Sequence, residues 1–360
     1  APATSTQLRR GDVPIVGAED LKAWSLIRTL VGFDTTSRDS NLALIDWVRD
    51  YLMGFDVDST LTFDDSCKKA NLFATLPARD GNTMLNGIVL SGHTDVVPVD
   101  GQPWATPPFE ATPIGDRIFG RGVTDMKSFS ATGLAFVPEL LRRGLKRPVH
   151  FALSYDEEIG CIGVRSLIET LRTAPHRPML CIVGEPTSMQ VATGHKGKIA
   201  ARATCRGKES HSALAPLAVN AIYLGCDFVS AIRAEQVHLV HAGERDAEYD
   251  IPYTTLHVGK MNAGISLNIV PNLCDIEFEV RNIATDDVDK ILERLRSAAA
   301  RIVLEAAKIA SEAAIEIEVI NAYPGLDTPT NSQAVAFVKS LTGANSTVKV
   351  SPGTEGGLFN

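Results

Sequence analysis

At 360 residues the chain exceeds what one ordinary core holds, so two domains are expected. Hydrophobic residues make up 44% and charged residues 22%, a soluble globular balance, and the net charge of −8 argues against nucleic acid and anionic membranes as main partners. No apolar run approaches the ~20 residues of a membrane-spanning helix, and no secretory signal is visible. Six cysteines (Cys67, Cys161, Cys181, Cys205, Cys226 and Cys274) stand singly, with no C-x-x-C pair. They read as free, mostly buried thiols of a cytoplasmic protein.

Residues 1–17 hold Pro2, Gly11, Pro14 and Gly17 with little pattern, and are expected to be a loosely packed lead-in. From Glu19 the pattern turns helical, with Leu21, Trp24, Ile27, Leu30 and Val31 on one face. Asp34-Thr35-Thr36-Ser37 breaks it. A second helix follows Ser40, with Leu44, Ile45, Val48 and Leu52 inward and Gly54 as its stop. Residues 55–61 and 71–76 read as strands. Ile88-Val89-Leu90 then begins a buried strand that ends in His93 and Asp95. These two are two residues apart, so they share a face at the strand's carboxyl end, where open α/β sheets place ligands.

A Pro-rich connection leads to Gly120-Arg121-Gly122-Val123-Thr124-Asp125-Met126-Lys127, the lead into one long helix with Asp125 at its start. Its inward face is Phe129, Leu134, Val137, Leu140 and Leu141, and Gly144 ends it. The strand 149–153 ends just before Asp156-Glu157-Glu158. After a helix over 163–171, the strand 179–183 ends at Gly184-Glu185-Pro186-Thr187. Alternating strands and helices predict a mainly parallel sheet covered on both faces.

Each acid alone reads as a solvated loop or helix-cap residue. Together they place one imidazole and five carboxylates at successive strand ends. Burying those carboxylates side by side costs heavily in repulsion and desolvation, and cations remove that cost. Structural zinc favours Cys and His. This donor set suits a dinuclear Zn²⁺-type site instead.

After Thr187 the texture changes. Residues 191–204 alternate as a half-exposed antiparallel strand, and Gly207-Lys208-Glu209-Ser210-His211-Ser212 forms a turn. A helix over 219–233, strands over 254–261 and 275–280, a helix over 286–307 and a strand over 315–320 complete a β-α-β-β-α-β order. That is the ferredoxin-like split arrangement. The expected division is a first domain of residues 1–189 and 323–360, with 190–322 inserted into it.

HTDVVP (93–98), GRGVTDMK (120–127), YDEEIG (155–160) and GEPT (184–187) come in order and at spacings that resemble the acetylornithine deacetylase and succinyl-diaminopimelate desuccinylase family. These are co-catalytic zinc amidohydrolases related to carboxypeptidase-type and aminoacylase-type enzymes. The resemblance covers nearly the whole chain. GEPT, the HKG at 195–197, the PWATPPF loop at 103–109 and Gly353-Thr354-Glu355 look most like the acetylornithine deacetylase branch.

The resemblance implies a zinc-peptidase-like α/β catalytic domain with an inserted α+β lid that dimerises through 190–322. It implies two Zn²⁺ per subunit, with Co²⁺ able to substitute. Asp125 would bridge the metals, His93 and Glu185 would complete one ligand set and Glu158 the other. Glu157 would be the general base, and Asp95 would orient His93. His211 would reach the partner subunit's active site and hold the oxyanion. Asn268 and Arg281 would bind the substrate carboxylate, with Lys196 and Thr354 as further pocket candidates.

The implied reaction is hydrolysis of an N-acyl amino acid, N-acetyl-L-ornithine above all, in arginine biosynthesis. Succinyl-diaminopimelate, aminoacylase or carboxypeptidase substrates are the alternatives. One departure stands out: the family pattern also has a metal-ligand His in an H-x-P-[DE] segment near the C-terminus, and the chain reaches Asn360 before it. The chain as written is therefore expected to be a truncated form or to hold its second metal incompletely. A non-catalytic metal-binding homodimer is the competing expectation from a different class. Glu157 and His211 favour the enzyme, since mere metal binding requires neither a base nor an oxyanion donor.

Overall fold

The computed structural model describes residues 22–360. The expected lead-in over 1–17 and the first positions of the first helix, Glu19 and Leu21, lie outside the described residues. The chain divides into two compact units, one ending at Pro186 and one running from Thr187 to Asn360.

In the first unit, α1 (Trp24–Val31) and α2 (Leu42–Met53) precede β1 (Ser59–Phe63), β2 (Ala70–Leu76) and β3 (Ile88–His93). A small hairpin, β4 (Thr112–Ile114) and β5 (Arg117–Phe119), sits in the Pro-rich connection. Then come α3 (Ser128–Ala135), α4 (Val137–Arg143), β6 (Val149–Ser154), α5 (Val164–Thr173) and β7 (Leu180–Val183). The sheet order is β1-β2-β6-β3-β7. The first three strands pair antiparallel, while β6, β3 and β7 run parallel, so the sheet is mixed. The parallel part carries the residues singled out above.

Core burial follows the two sequence periods. Leu44, Ile45, Val48 and Leu52 of α2 are at most 1% exposed and meet Leu72, Leu76, Phe151 and Leu153 of the sheet. Phe73, Val89 and Ala152 point to the other face, where Leu167 of α5 covers them. Consecutive strand residues thus feed both layers, as a sheet covered on both faces requires.

The single long helix expected after Lys127 is two helices. Pro138 lies at the start of α4, and its missing N–H cannot continue α3 through Phe136. The strand expected at residue 55 begins only at Ser59, because Asp56 takes a left-handed φ of 58° in the turn after α2.

The second unit opens with β8 (Ala192–His195) and β9 (Gly197–Arg206), then α6 (Ala221–Ala242), β10 (Thr255–Ala263), β11 (Leu273–Asn282), α7 (Val288–Ala306) and β12 (Ala314–Tyr323). The four-stranded sheet has order β10-β11-β9-β12, antiparallel throughout. That is the expected β-α-β-β-α-β arrangement. Its core pairs Ile199, Ala201 and Ala203 with Ile276, Phe278 and Val280 under Phe228, Ile232 and Leu295.

β13 (Leu326–Asp327), α8 (Gln333–Thr342), β14 (Val348–Val350) and α9 (Gly356–Phe359) complete the unit. β13 and β14 flank β8 in a separate three-stranded sheet. Residues 323–360 fall in the second compact unit, where β13 and β14 pair with Ala192–His195. The strand expected over 191–204 is also cut at Lys196, so that β8 and β9 join different sheets.

Candidate metal centre

β3 delivers His93, only 1% exposed, at its carboxyl end. Its Nε2 lies 2.9 Å from Asp125 Oδ1 and 3.7 Å from Glu185 Oε1. Its Nδ1 lies 2.9 Å from the Asp95 carbonyl oxygen and 3.5 Å from Asp95 Oδ1. Asp125 stands in an irregular turn before α3, not in the helix's first turn as expected, and its bond to Met126 is cis. Gly122 opens that turn with φ 81°, and a side chain there would meet Val96 Cγ1 at 2.9 Å. Glycine is the residue that tolerates this backbone.

The loop after β6 splits three successive acids. Asp156, at φ 56°, turns to Lys69, with Nζ to Oδ1 2.5 Å. Glu157 and Glu158 remain near His93. Ligand atoms of His93, Glu157 and Glu185 lie within 4.8 Å of one another, as do those of His93, Asp125 and Glu158. Either triplet could hold a cation. The first includes Glu157, the residue expected to act as base, so the geometry by itself leaves both carboxylates within ligating reach.

The electrostatics fit a cation. Burial, helped by neighbouring carboxylates, pushes Glu157 upward and Glu158 up to about 7. Burial works to lower His93, but hydrogen bonds to Asp125 and Asp95 outweigh it and raise it well above the ordinary value. Both displacements report surplus negative charge around buried groups. A divalent cation bound by nitrogen and carboxylate oxygen relieves it.

Asp95 does more than the orienting role expected of it. Its carboxylate accepts from Ser37 Oγ (2.7 Å), Glu157 N (3.0 Å) and Glu158 N (3.3 Å). Burial would raise it, but His93 and these donors hold it below the usual carboxylate range. Asp95 faces His93 Nδ1 through its backbone oxygen as closely as Asp125 faces Nε2, both at 2.9 Å. Sequence reading took Asp34-Thr35-Thr36-Ser37 as a mere helix break. In the fold Thr35, Thr36 and Ser37 are buried; Thr35 Oγ1 donates to Thr94 O (2.6 Å) and Ser37 N to Val96 O (3.1 Å). Lys127 was also missed. It is 1% exposed, donates to Phe33 O (2.7 Å), and burial lowers it to about 8 against the pull of Asp34 and Asp95.

The second unit groups the remaining candidates. His211 is exposed; its Nδ1 accepts from Ala213 N at 3.1 Å, and its backbone bridges to Ile269. Asn268 lies next to that bridge, with its carbonyl accepting from Ser212 N at 2.9 Å. Arg281 is bonded to Glu279 and Tyr323. Thr354 Oγ1 accepts from Gly356 N at 3.0 Å. Lys196 is 2% exposed and donates to Tyr253 O at 2.7 Å. That contact uses one of the three N–H donors of the ammonium.

Residues 89–359 match Peptidase family M20/M25/M40. Over 324 residues the chain is 29% identical to acetylornithine deacetylase of Shigella sonnei (strain Ss046), spanning 90% of this chain and 80% of that one. It superposes on an M20 family metallo-carboxypeptidase from Sulfolobus solfataricus with TM-score 0.71 and 20% identity, covering 94% of this chain and 88% of that one. A dinuclear metal binding peptidase of the M20 family from Bacillus subtilis gives TM-score 0.62 and 15% identity, with 94% and 85% covered. The motifs, the strand-end cluster and the family match agree: this chain belongs to Peptidase family M20/M25/M40, a family of metal-dependent hydrolases.

Proposed function

We propose that this hydrolase cleaves the amide bond of an N-acyl amino acid, N-acetyl-L-ornithine in particular, at a dinuclear zinc site that Co²⁺ can also occupy. The observation that carries the reading is the convergence of His93, Glu157, Glu158 and Glu185, from the carboxyl ends of parallel strands, with Asp125 from the turn before α3. Similarity to the Shigella deacetylase supports the substrate. The place in arginine biosynthesis and in the cytoplasm follows from that substrate.

His93, Asp125, Glu158 and Glu185 would hold the metal ions. When bound, these ions polarise the scissile carbonyl and make water more acidic. Glu157, raised by burial, takes a proton from the attacking water and passes it to the leaving amine. Asp95 keeps this acid pair in place by accepting both backbone N–H groups. His211 supports the developing oxyanion, and Asn268 and Arg281 bind the substrate carboxylate. Arg suits that role because its guanidinium forms a planar fork.

The functional unit is proposed to be a homodimer through residues 190–322. Around the His211–Ile269 bridge, Leu217, Ile265 and Leu267 are 67%, 85% and 100% exposed. Apolar surface of this kind marks association sites.

The test is hydrolysis of N-acetyl-L-ornithine beside N-succinyl-L,L-diaminopimelate with Zn²⁺ supplied. Preferential turnover of the acetyl substrate is expected. Preference for the succinyl substrate would overturn the substrate assignment while leaving the hydrolytic chemistry intact. Metal binding without turnover of either would favour the non-catalytic reading.

A further inference from the structure

Arg281 on β11 pairs with Lys198 on β9, and Lys198 pairs with Tyr323 on β12. Directly opposed residues share a sheet face, so these three stand in one row across three strands. The long side chains of the outer two meet over the middle one: Arg281 Nη1 donates to Tyr323 Oη at 3.2 Å. Glu279, two residues before Arg281, lies on the same face. It accepts from Arg281 Nε at 3.1 Å and from Nη2 at 3.3 Å.

A guanidinium has five N–H donors. Glu279 engages two and Tyr323 one, which leaves one N–H on each terminal nitrogen. Two adjacent donors match the two oxygens of a carboxylate. Tyr323 is itself held. It is 8% exposed, and a side chain at Gly353 would meet its Oη at 2.4 Å, so the backbone of the Gly353-Thr354 turn rests against the ring. Burial would lower Arg281, but Glu279 and Tyr323 outweigh it and raise it further.

We propose that Tyr323 is a positioning residue for substrate recognition: its hydroxyl, with the Glu279 carboxylate, fixes the Arg281 guanidinium so that its two remaining terminal N–H groups meet the substrate carboxylate. This rests on the reading of Arg281 given above. Glu279 leaves the guanidinium charged but occupies its side-on edge. Tyr323 fixes the rotation about the last bonds of the side chain. Without the hydroxyl, Arg281 keeps its charge and loses its aim.

The experiment compares steady-state hydrolysis of N-acetyl-L-ornithine with that of its carboxamide, N-acetyl-L-ornithinamide, by the Zn²⁺-loaded full chain. Tyr323→Phe should raise KM for the carboxylate substrate roughly 10- to 100-fold, with kcat within about twofold, as expected for loss of one hydrogen bond to a charged group. Its kcat/KM for the carboxamide should stay at the wild-type value. Glu279→Gln should erode the same carboxylate preference, and it carries the test if Tyr323→Phe fails to fold. An equal fall for both substrates, or no change for either, would overturn the proposal. Arg281→Lys separates the two levels. If it abolishes the carboxylate preference while Tyr323→Phe does not, the Arg281 reading stands and the Tyr323 role is wrong. If Arg281→Lys leaves the preference intact, both fall.

Discussion

Asp95 sits where three segments meet: β3, the loop after β6 and the Ser37 segment. It accepts three hydrogen bonds while 2% exposed, so removing it strands buried donors. Asp95→Ala is expected to cut kcat/KM or metal affinity about 10- to 100-fold, the usual cost of losing a residue that orients metal ligands. Kinetics with parallel metal analysis would show it, and wild-type values for both would refute it. Away from the site, His150 is fully buried, with Nδ1 at 2.8 Å from Thr75 Oγ1 and the His176 ring nearby. Burial, with a smaller contribution from His176, lowers it to about 4. The unfolded chain, with His near 6.5, therefore binds the proton first. Stability from this residue is complete above about pH 6.5 and is lost progressively towards pH 4. Urea unfolding across that range should show most of one proton's worth of slope disappearing in His150→Gln. The acids and His93 were legible in the sequence because strand ends advertise themselves by apolar runs. Ser37, Lys127 and Tyr323 were not, because each acts through a partner distant in the chain.

At the scale of elements, the site depends on how closely α3 approaches the strand ends. A side chain at Gly184 would meet the Phe129 ring at 2.1 Å. The close approach fixes the end of β7 against the start of α3, one residue before Glu185. Gly184→Ala must push that helix or tilt Glu185 away. Overpacking of this sort costs about 1–3 kcal/mol, so a lowered melting temperature with weakened metal binding is expected, and unchanged values of both would exclude the role. Element order and type were readable from periodicity from α1 to β12 apart from the short β4–β5 hairpin, and no element was assigned over 323–360. The errors fell where one residue overrides the pattern: Pro138 splitting α3 from α4, Asp56 delaying β1, and the Lys196 break sending β8 and β9 to different sheets. The pairing of residues 323–360 with β8 depends on long-range backbone contacts, which a local pattern does not encode.

Across the whole molecule, the second unit has a complete core of its own, while the cluster of acids belongs to the first. A cation that binds only the folded state stabilises it by mass action, about 2.7 kcal/mol at a hundredfold excess over Kd. Chelation should thus lower the melting temperature and Zn²⁺ should restore it. If the homodimer reading is right, Leu267→Asp with Ile265→Asp should shift sedimentation from dimer to monomer. An unchanged dimer would place the interface elsewhere. The measurement that reaches the centre of the account is made on Glu157→Gln: turnover of N-acetyl-L-ornithine and metal content, determined on the same Zn²⁺-loaded sample. Glu157 as base predicts a fall in kcat of roughly 10²–10⁴-fold with metal content equal to wild type. Retained turnover, or metal lost together with turnover, would contradict it and make Glu157 a bystander or a ligand.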